Sequence, residues 1–263
     1  MERLLRLGIP FIIYFVASLI FSLFVLGSAF SAITGGIALD NAVKTVIDLP
    51  LMLFGSCSFI FLFMWMKDRE QNGFEGNEMP ASAWLLLPVI GLLFAFGEIY
   101  VVRGMLNREL SEVFFGVSEY AMDAVKAVPT FFIAIFVLEP ICFELLFRGL
   151  FHQRMREESG ALPTIVIVGI VAAIFYRAVD SVIMALILSF IYEYYRNLAA
   201  PLIVSVCYSL GCYFFYSISL ILPGINGEMS ILVPVFILLC AIGVIFLLFV
   251  IYRKHGSPYG SKW

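Results

Sequence analysis

Residues 138–156 read LEPICFELLFRGLFHQRMR, and this stretch places charged side chains inside a run of apolar residues. Glu144, Arg148 and His152 follow one another at intervals of four, so on a helix they share one face and the first two can pair. Pro140 removes a backbone donor and predicts a kink or a break in that helix. A charge near the middle of a bilayer costs at least about 2.5–3.5 kcal/mol, so such residues persist when they pair, line a cavity or take part in chemistry.

The whole chain is as apolar as this stretch suggests. Of its 263 residues, 62% are hydrophobic and 13% are charged, whereas an average soluble domain is roughly 45–50% apolar and about 25% charged. A soluble fold of this length cannot bury so much apolar surface. The composition therefore predicts an integral membrane protein. The formal net charge of −3 is small and scattered, which argues against nucleic acid as a partner.

Eight apolar runs are long enough, or nearly long enough, to cross a bilayer at roughly 20 residues per span. They cover approximately residues 8–35, 47–66, 83–102, 128–151, 162–176, 179–195, 198–222 and 231–252. We therefore predict an all-α, polytopic protein of about eight transmembrane helices, with residues 1–263 forming a single membrane domain in the bilayer. The fifth and sixth runs are short and nearly continuous, so 162–195 could instead be one irregular element.

The distribution of basic residues sets the expected orientation. With the N-terminus in the cytoplasm, eleven of the sixteen Lys and Arg residues fall on the cytoplasmic side, as the positive-inside rule requires. Both termini of this multi-pass cell-membrane protein are then cytoplasmic. Residues 67–82 are expected to form a flexible cytoplasmic connection. Residues 103–126 suit either an amphipathic helix on the outer membrane surface or a loop packed on the bundle.

Metal and cofactor sites are not expected from the ligand residues available. The five cysteines all fall in apolar runs without zinc-ligand spacing, so we interpret them as small core residues; they are Cys57, Cys142, Cys207, Cys212 and Cys240. The chain has two histidines, His152 and His255. Without more imidazoles there is no good zinc site and no strong acid–base partner near neutral pH.

Residues 140–149, PICFELLFRG, resemble the first motif of the CPBP membrane family, whose pattern is Pro-Ile-x-Glu-Glu-Leu-x-Phe-Arg-Gly. That family includes CaaX prenyl endopeptidases, bacteriocin-processing and self-immunity proteins, and abortive-infection proteins. The resemblance covers a core region at about 129–222 and implies a CPBP-like helical bundle. It also implies an intramembrane cavity in which two adjacent glutamates, histidines and an Asn or Asp act on a peptide bond.

This chain departs from the family pattern at most of the polar positions. In the first motif, Phe143 replaces the first glutamate, and the second is retained as Glu144. The second family motif is a Phe followed four residues later by a His. Phe175 suits the first of these positions, but Val179 and then Asp180 stand where the histidine is expected.

The third motif has also lost its histidine and its Asn. Aligned on NLAAP at 197–201, the chain has Ser205 in place of the histidine and Ser209 in place of the Asn. Neither His152 nor His255 lies in the second or third motif, so a shift of the alignment cannot restore a histidine there. The resemblance therefore implies a family member that kept the fold and lost the protease centre.

Three functions follow from these residues. The first is a catalytically degenerate scaffold that binds or regulates a membrane protein or a lipid-modified protein, with Glu144 and Arg148 as a buried structural pair. The second is an active endopeptidase with Glu144 as base, Arg148 as orienting partner and Asp180 or Ser205 helping, with Ser209 a further weak candidate. The third is a transporter or channel component with a polar pathway; its markers would be Glu98, Glu139, Glu144, Arg177 and Asp180.

Overall fold

The computed structural model describes residues 2–35, 39–72, 78–100, 129–175 and 181–221, and these ranges are almost entirely helical. They form seven helices and contain no strand, which confirms the predicted all-α class. The helices are α1 (Glu2–Ile33), α2 (Leu39–Asn72), α3 (Ala81–Tyr100), α4 (Pro129–Ser159), α5 (Ala161–Phe175), α6 (Ser181–Tyr195) and α7 (Ala199–Ile221).

Three of the described helices are long and apolar enough to cross a membrane, at Arg6–Ile33, Asp48–Glu70 and Pro129–Ser159. The other four contain shorter apolar segments. This pattern agrees with a helical membrane bundle. The fifth and sixth predicted runs are separate helices, α5 and α6, rather than one irregular element. The eighth predicted run, 231–252, and the segment 103–126 lie outside the described residues.

One predicted loop is partly helical. We expected a flexible connection over 67–82, but α2 continues to Asn72, so the prediction was wrong for residues 67–72. This extension has the sequence KDREQN. Lys, Arg, Glu and Gln have high helix propensity, and Asp and Asn have a lower one. Asp68 is also buried and held by an ion pair described below, which fixes this last part of α2.

The helices fall into two compact units. The first unit contains α1, α2 and α4 as far as Glu158, and the second contains α3, α5, α6 and α7. The core of the second unit lies between α3, α6 and α7. Its buried members include Ala83, Leu87 and Ile90 of α3, Met184, Leu188 and Ile191 of α6, and Ala200 and Val204 of α7.

Glycine permits the close contact between α3 and α7. A Cβ atom at Gly91 would lie 2.5 Å from the carbonyl oxygen of Val204 and 3.0 Å from the backbone nitrogen of Tyr208. Small residues of this kind let the backbones of membrane helices approach one another. Because the atom that would be struck belongs to the backbone, a side chain at this position must push α7 away from α3.

The Gly91→Ala variant is therefore expected to lower the free energy of unfolding by about 1–3 kcal/mol through overpacking. The thermal unfolding midpoint of the detergent-solubilised protein measures this effect. Gly27→Ala is the matched control, because nothing lies within 4 Å of a Cβ atom at Gly27. An unchanged midpoint for Gly91→Ala would show that α3 and α7 have room for the methyl group.

Candidate functional site

The central part of α4 changes its helical geometry twice. Residues Ala134–Leu138 and Leu145–His152 are π-helical, and the α-helical segment Glu139–Glu144 separates them. The N–H of Glu139 donates to the carbonyl of Ala134, five residues earlier. Pro140 at the start of the middle segment has no N–H to donate, so the hydrogen-bond ladder changes there without ending the helix. Short π-helical segments are frequent at functional sites.

The ion pair expected from the sequence spacing joins the end of the α-helical segment to the second π-helical segment. Arg148 Nη1 donates to Glu144 Oε1 over 3.2 Å, and both side chains are completely inaccessible to solvent. His152, four residues further on, is equally buried. We call Glu144, Arg148 and His152 the polar stripe of α4. Two opposite charges that are both removed from water must remain paired, because an isolated buried charge is strongly destabilising.

An aromatic cluster occupies the position of the first family glutamate. The ring of Phe143 lies 5.6 Å from that of Tyr14 in α1, 6.2 Å from that of Phe54 in α2 and 6.1 Å from that of Phe147. Only 5% of Phe143 is exposed. Phe143 therefore contacts an aromatic ring from α1 and another from α2.

Phe143, Phe147 and Phe151 are spaced four apart and form the aromatic stripe of α4, offset by one residue from the polar stripe. Phe11 of α1 packs on this stripe, with its ring 5.8 Å from Phe147 and 5.1 Å from Phe151. The guanidinium carbon of Arg148 lies 5.9 Å from the ring centre of Phe147, within range of a cation–π interaction. Phe147 thus contacts both α1 and the buried ion pair.

A second charged group joins the three helices of the first unit. Arg154 Nε donates to Asp68 Oδ2 over 2.7 Å, and Arg154 Nη1 donates to the carbonyl oxygen of Arg6. The side chain of Arg6 lies 3.5 Å from Asp68 and 3.7 Å from Glu157. We call Arg6, Asp68, Arg154 and Glu157 the polar clamp. It connects α1, α2 and α4 close to the first turns of α1.

The polar clamp was missed by the sequence analysis. Arg154 and Asp68 are 86 positions apart, and Asp68 fell in a segment that was expected to be a flexible loop. The available signal was the position of these charges, since Arg6, Asp68 and Arg154 each stand where an apolar run meets a polar segment. No local pattern states which of these residues pair.

The remaining candidate residues lie elsewhere in the chain. Ser205 and Ser209 belong to α7 in the second unit, and Ser205 is buried. Asp180 lies outside the described residues, as do Arg177 and His255. Glu139 is half-buried at the start of the middle segment of α4, and Glu98 belongs to α3.

The described residues include four cysteines and several other side chains that could bind a metal ion. Within the described ranges, no three His, Cys, Asp or Glu side chains lie close enough together to hold a metal ion. Cys57, Cys142 and Cys212 are buried free thiols and Cys207 is a half-buried one, in agreement with core positions, whereas Cys240 lies outside the described residues.

The fold and this site agree with a helical membrane bundle. The family model described as type II CAAX prenyl endopeptidase Rce1-like matches residues 124–211, the region that contains both stripes of α4. This match confirms the resemblance that the motif PICFELLFRG predicted. No curated protein and no solved structure matches the chain.

Proposed function

We propose that this CPBP-type membrane protein binds a membrane protein or a lipid-modified protein within the bilayer and does not cut it. The observation that carries the proposal is the environment of Phe143, which stands at the first glutamate position of the family motif and packs among the rings of Tyr14, Phe54 and Phe147. An aromatic cluster can hold an apolar segment of a partner. The ring of Phe143 cannot do what a glutamate at this position does, because it has no group that transfers a proton to or from water or a leaving group.

The retained glutamate has a structural partner. Glu144 accepts a hydrogen bond from Arg148 on the same helix, and this pair is completely buried. The pair stabilises α4 in a membrane, where either charge alone would be costly. Loss of the Glu144 carboxylate alone therefore destabilises the fold, because it leaves Arg148 as a buried charge, whether or not a reaction takes place beside it.

Gln153 supports the binding of a partner that brings a polar group. Its side chain is 2% exposed, and among the described residues neither polar atom of its amide has a hydrogen-bond partner. Leaving a buried polar group unsatisfied costs about 1–3 kcal/mol. This cost is removed when a backbone or side-chain group of a bound partner reaches the amide.

The proposal predicts opposite effects of Gln153→Leu on stability and on function. Removing an unsatisfied buried amide is expected to raise the thermal unfolding midpoint, and it should weaken the rescue of a deletion strain because the partner loses its polar contact. Glu158→Leu is the control, since Glu158 is an exposed residue of the same helix. A Gln153→Leu protein that is less stable, or that rescues fully, would contradict this role.

Comparison of protein termini in native membranes tests whether the protein cuts its partner. A deletion strain is complemented with the wild type or with Glu144→Gln at matched amounts of folded protein, and all N- and C-terminal peptides are quantified. We expect the same termini in both strains. Termini that appear only with the wild type would identify a substrate and would establish an active endopeptidase that uses Glu144.

A further inference from the structure

Helix α1 is attached to the rest of the first unit along one narrow side. In its most apolar stretch only 6% of the residues are buried, against 50% in α4. Large apolar side chains on its other sides are open, as in Phe15, which is 71% exposed. Within the first unit, α1 packs mainly on α2 and makes fewer contacts with α4, so few contacts resist its movement away from α4.

The contacts that α1 makes with α4 lie over the aromatic stripe. Phe11 packs on Phe147 and Phe151, and Tyr14 packs on Phe143. Phe147 in turn contacts the guanidinium of Arg148. When α1 moves away, the aromatic stripe becomes open to the bilayer, and the side of the ion pair next to Phe147 loses part of its cover.

The polar clamp holds α1 at one end only. Arg154 binds the backbone of α1 at Arg6, and the Arg6 side chain contacts Asp68 and Glu157. The Arg6 and Glu157 side chains are each about two fifths exposed, whereas those of Asp68 and Arg154 are at most one tenth exposed. The clamp thus consists of a buried pair that fixes α2 to α4, a hydrogen bond from Arg154 to the backbone of α1, and the more exposed Arg6 side chain, which we call the Arg6 arm.

From these three observations we propose that α1 is a lateral gate over the stripes of α4, held closed by Phe11 and by the Arg6 arm of the polar clamp. Opening the gate lets an apolar, membrane-embedded segment of the partner replace Phe11 and Tyr14 on the aromatic stripe. This inference rests on the proposed function for what enters the gate. The movement of α1 itself needs no partner.

Pulsed electron paramagnetic resonance on the full chain in lipid nanodiscs tests the movement. Spin labels are attached through a ketone-bearing amino acid at Leu19 of α1 and Ile133 of α4, two exposed positions of the first unit, so that the cysteines stay intact. The Arg6→Gln and Phe11→Ala variants are each expected to at least double the fraction of molecules with a longer distance between the labels. Phe15→Ala removes an exposed ring from the same helix and should match the wild type.

A second pair of labels separates gate opening from general loosening. Phe59 of α2 is exposed, and its distance to Ile133 should stay the same in every variant because α2 and α4 remain packed. Identical Leu19–Ile133 distances in all proteins would overturn the gate, and so would a Phe59–Ile133 distance that broadens together with the first. Because no partner is present, a failure here leaves the terminal-peptide comparison of the proposed function unaffected.

Discussion

Replacing Arg148 with methionine is expected to lower the free energy of unfolding by about 3–5 kcal/mol, because the change leaves a buried carboxylate without its partner. Glu144 and Arg148 are both fully buried and 3.2 Å apart. Methionine keeps most of the volume and removes the guanidinium, with its charge, its hydrogen bond to Glu144 and its contact with Phe147, so the loss does not report mainly on a cavity. Reversible unfolding in mixed detergent micelles provides the free energy.

The double variant Glu144→Leu with Arg148→Met provides the decisive comparison. Replacing a buried ion pair with apolar residues of similar size is often neutral or stabilising, so this protein should recover most of the lost stability. Lys67→Met serves as a control because Lys67 is exposed near the end of α2. Glu144→Leu alone completes the comparison: if its loss and that of Arg148→Met simply add in the double variant, the two side chains do not interact and the structural role assigned to the pair fails.

The second large effect is expected at the polar clamp, where Asp68→Asn should lower the free energy of unfolding by about 1.5–3 kcal/mol, the range of a hydrogen bond to a charged group. Arg154 loses a 2.7 Å ion pair, and its side chain is only 7% exposed. The amide oxygen of Asn can still accept one hydrogen bond, but it carries no charge. Chemical denaturation of the purified protein in micelles measures the loss.

Two further variants show which contact of the polar clamp causes this loss of stability. Glu70→Gln changes an exposed carboxylate of the same helix and is expected to leave stability unchanged. Arg6→Gln should cost less than about 1 kcal/mol, because a partly exposed ion pair contributes little. An Arg6→Gln loss as large as that of Asp68→Asn would show that the arm holding α1 is as firm as the buried pair, and α1 would then be a fixed helix.

Helix positions follow from a local property of the chain, which is why most of them were predicted. A helix that crosses a bilayer needs about 20 consecutive apolar residues. Its backbone N–H and C=O groups must form hydrogen bonds within the segment, because the bilayer core contains no water. Seven of the eight apolar runs accordingly correspond to helices, and the eighth lies outside the described residues. The prediction was wrong at 67–72, where a charged segment continues α2, because the partner of Asp68 could not be identified from the sequence.

Part of the candidate site was also predicted, because it too depends on residues that are close together in the chain. The spacing of Glu144 and Arg148 by four residues is enough to bring them together on a helix, and the structure has this pair. The motif around it predicted a resemblance to the CPBP family, and the Rce1-like family model matches the region that contains it, residues 124–211. The change to π-helical geometry on both sides of Glu139–Glu144 was predicted only as a kink or a break at Pro140.

The sequence by itself therefore determined the class of the protein, most of its helices and the ion pair between Glu144 and Arg148, which are four residues apart on one helix. The tertiary structure decided which distant residues meet, namely Phe11 with Phe147 and Asp68 with Arg154. The physical reason is that hydropathy and helical spacing act over a few residues of chain. Contacts between helices depend on how those helices pack, and many side chains of the same type compete for each place in that packing.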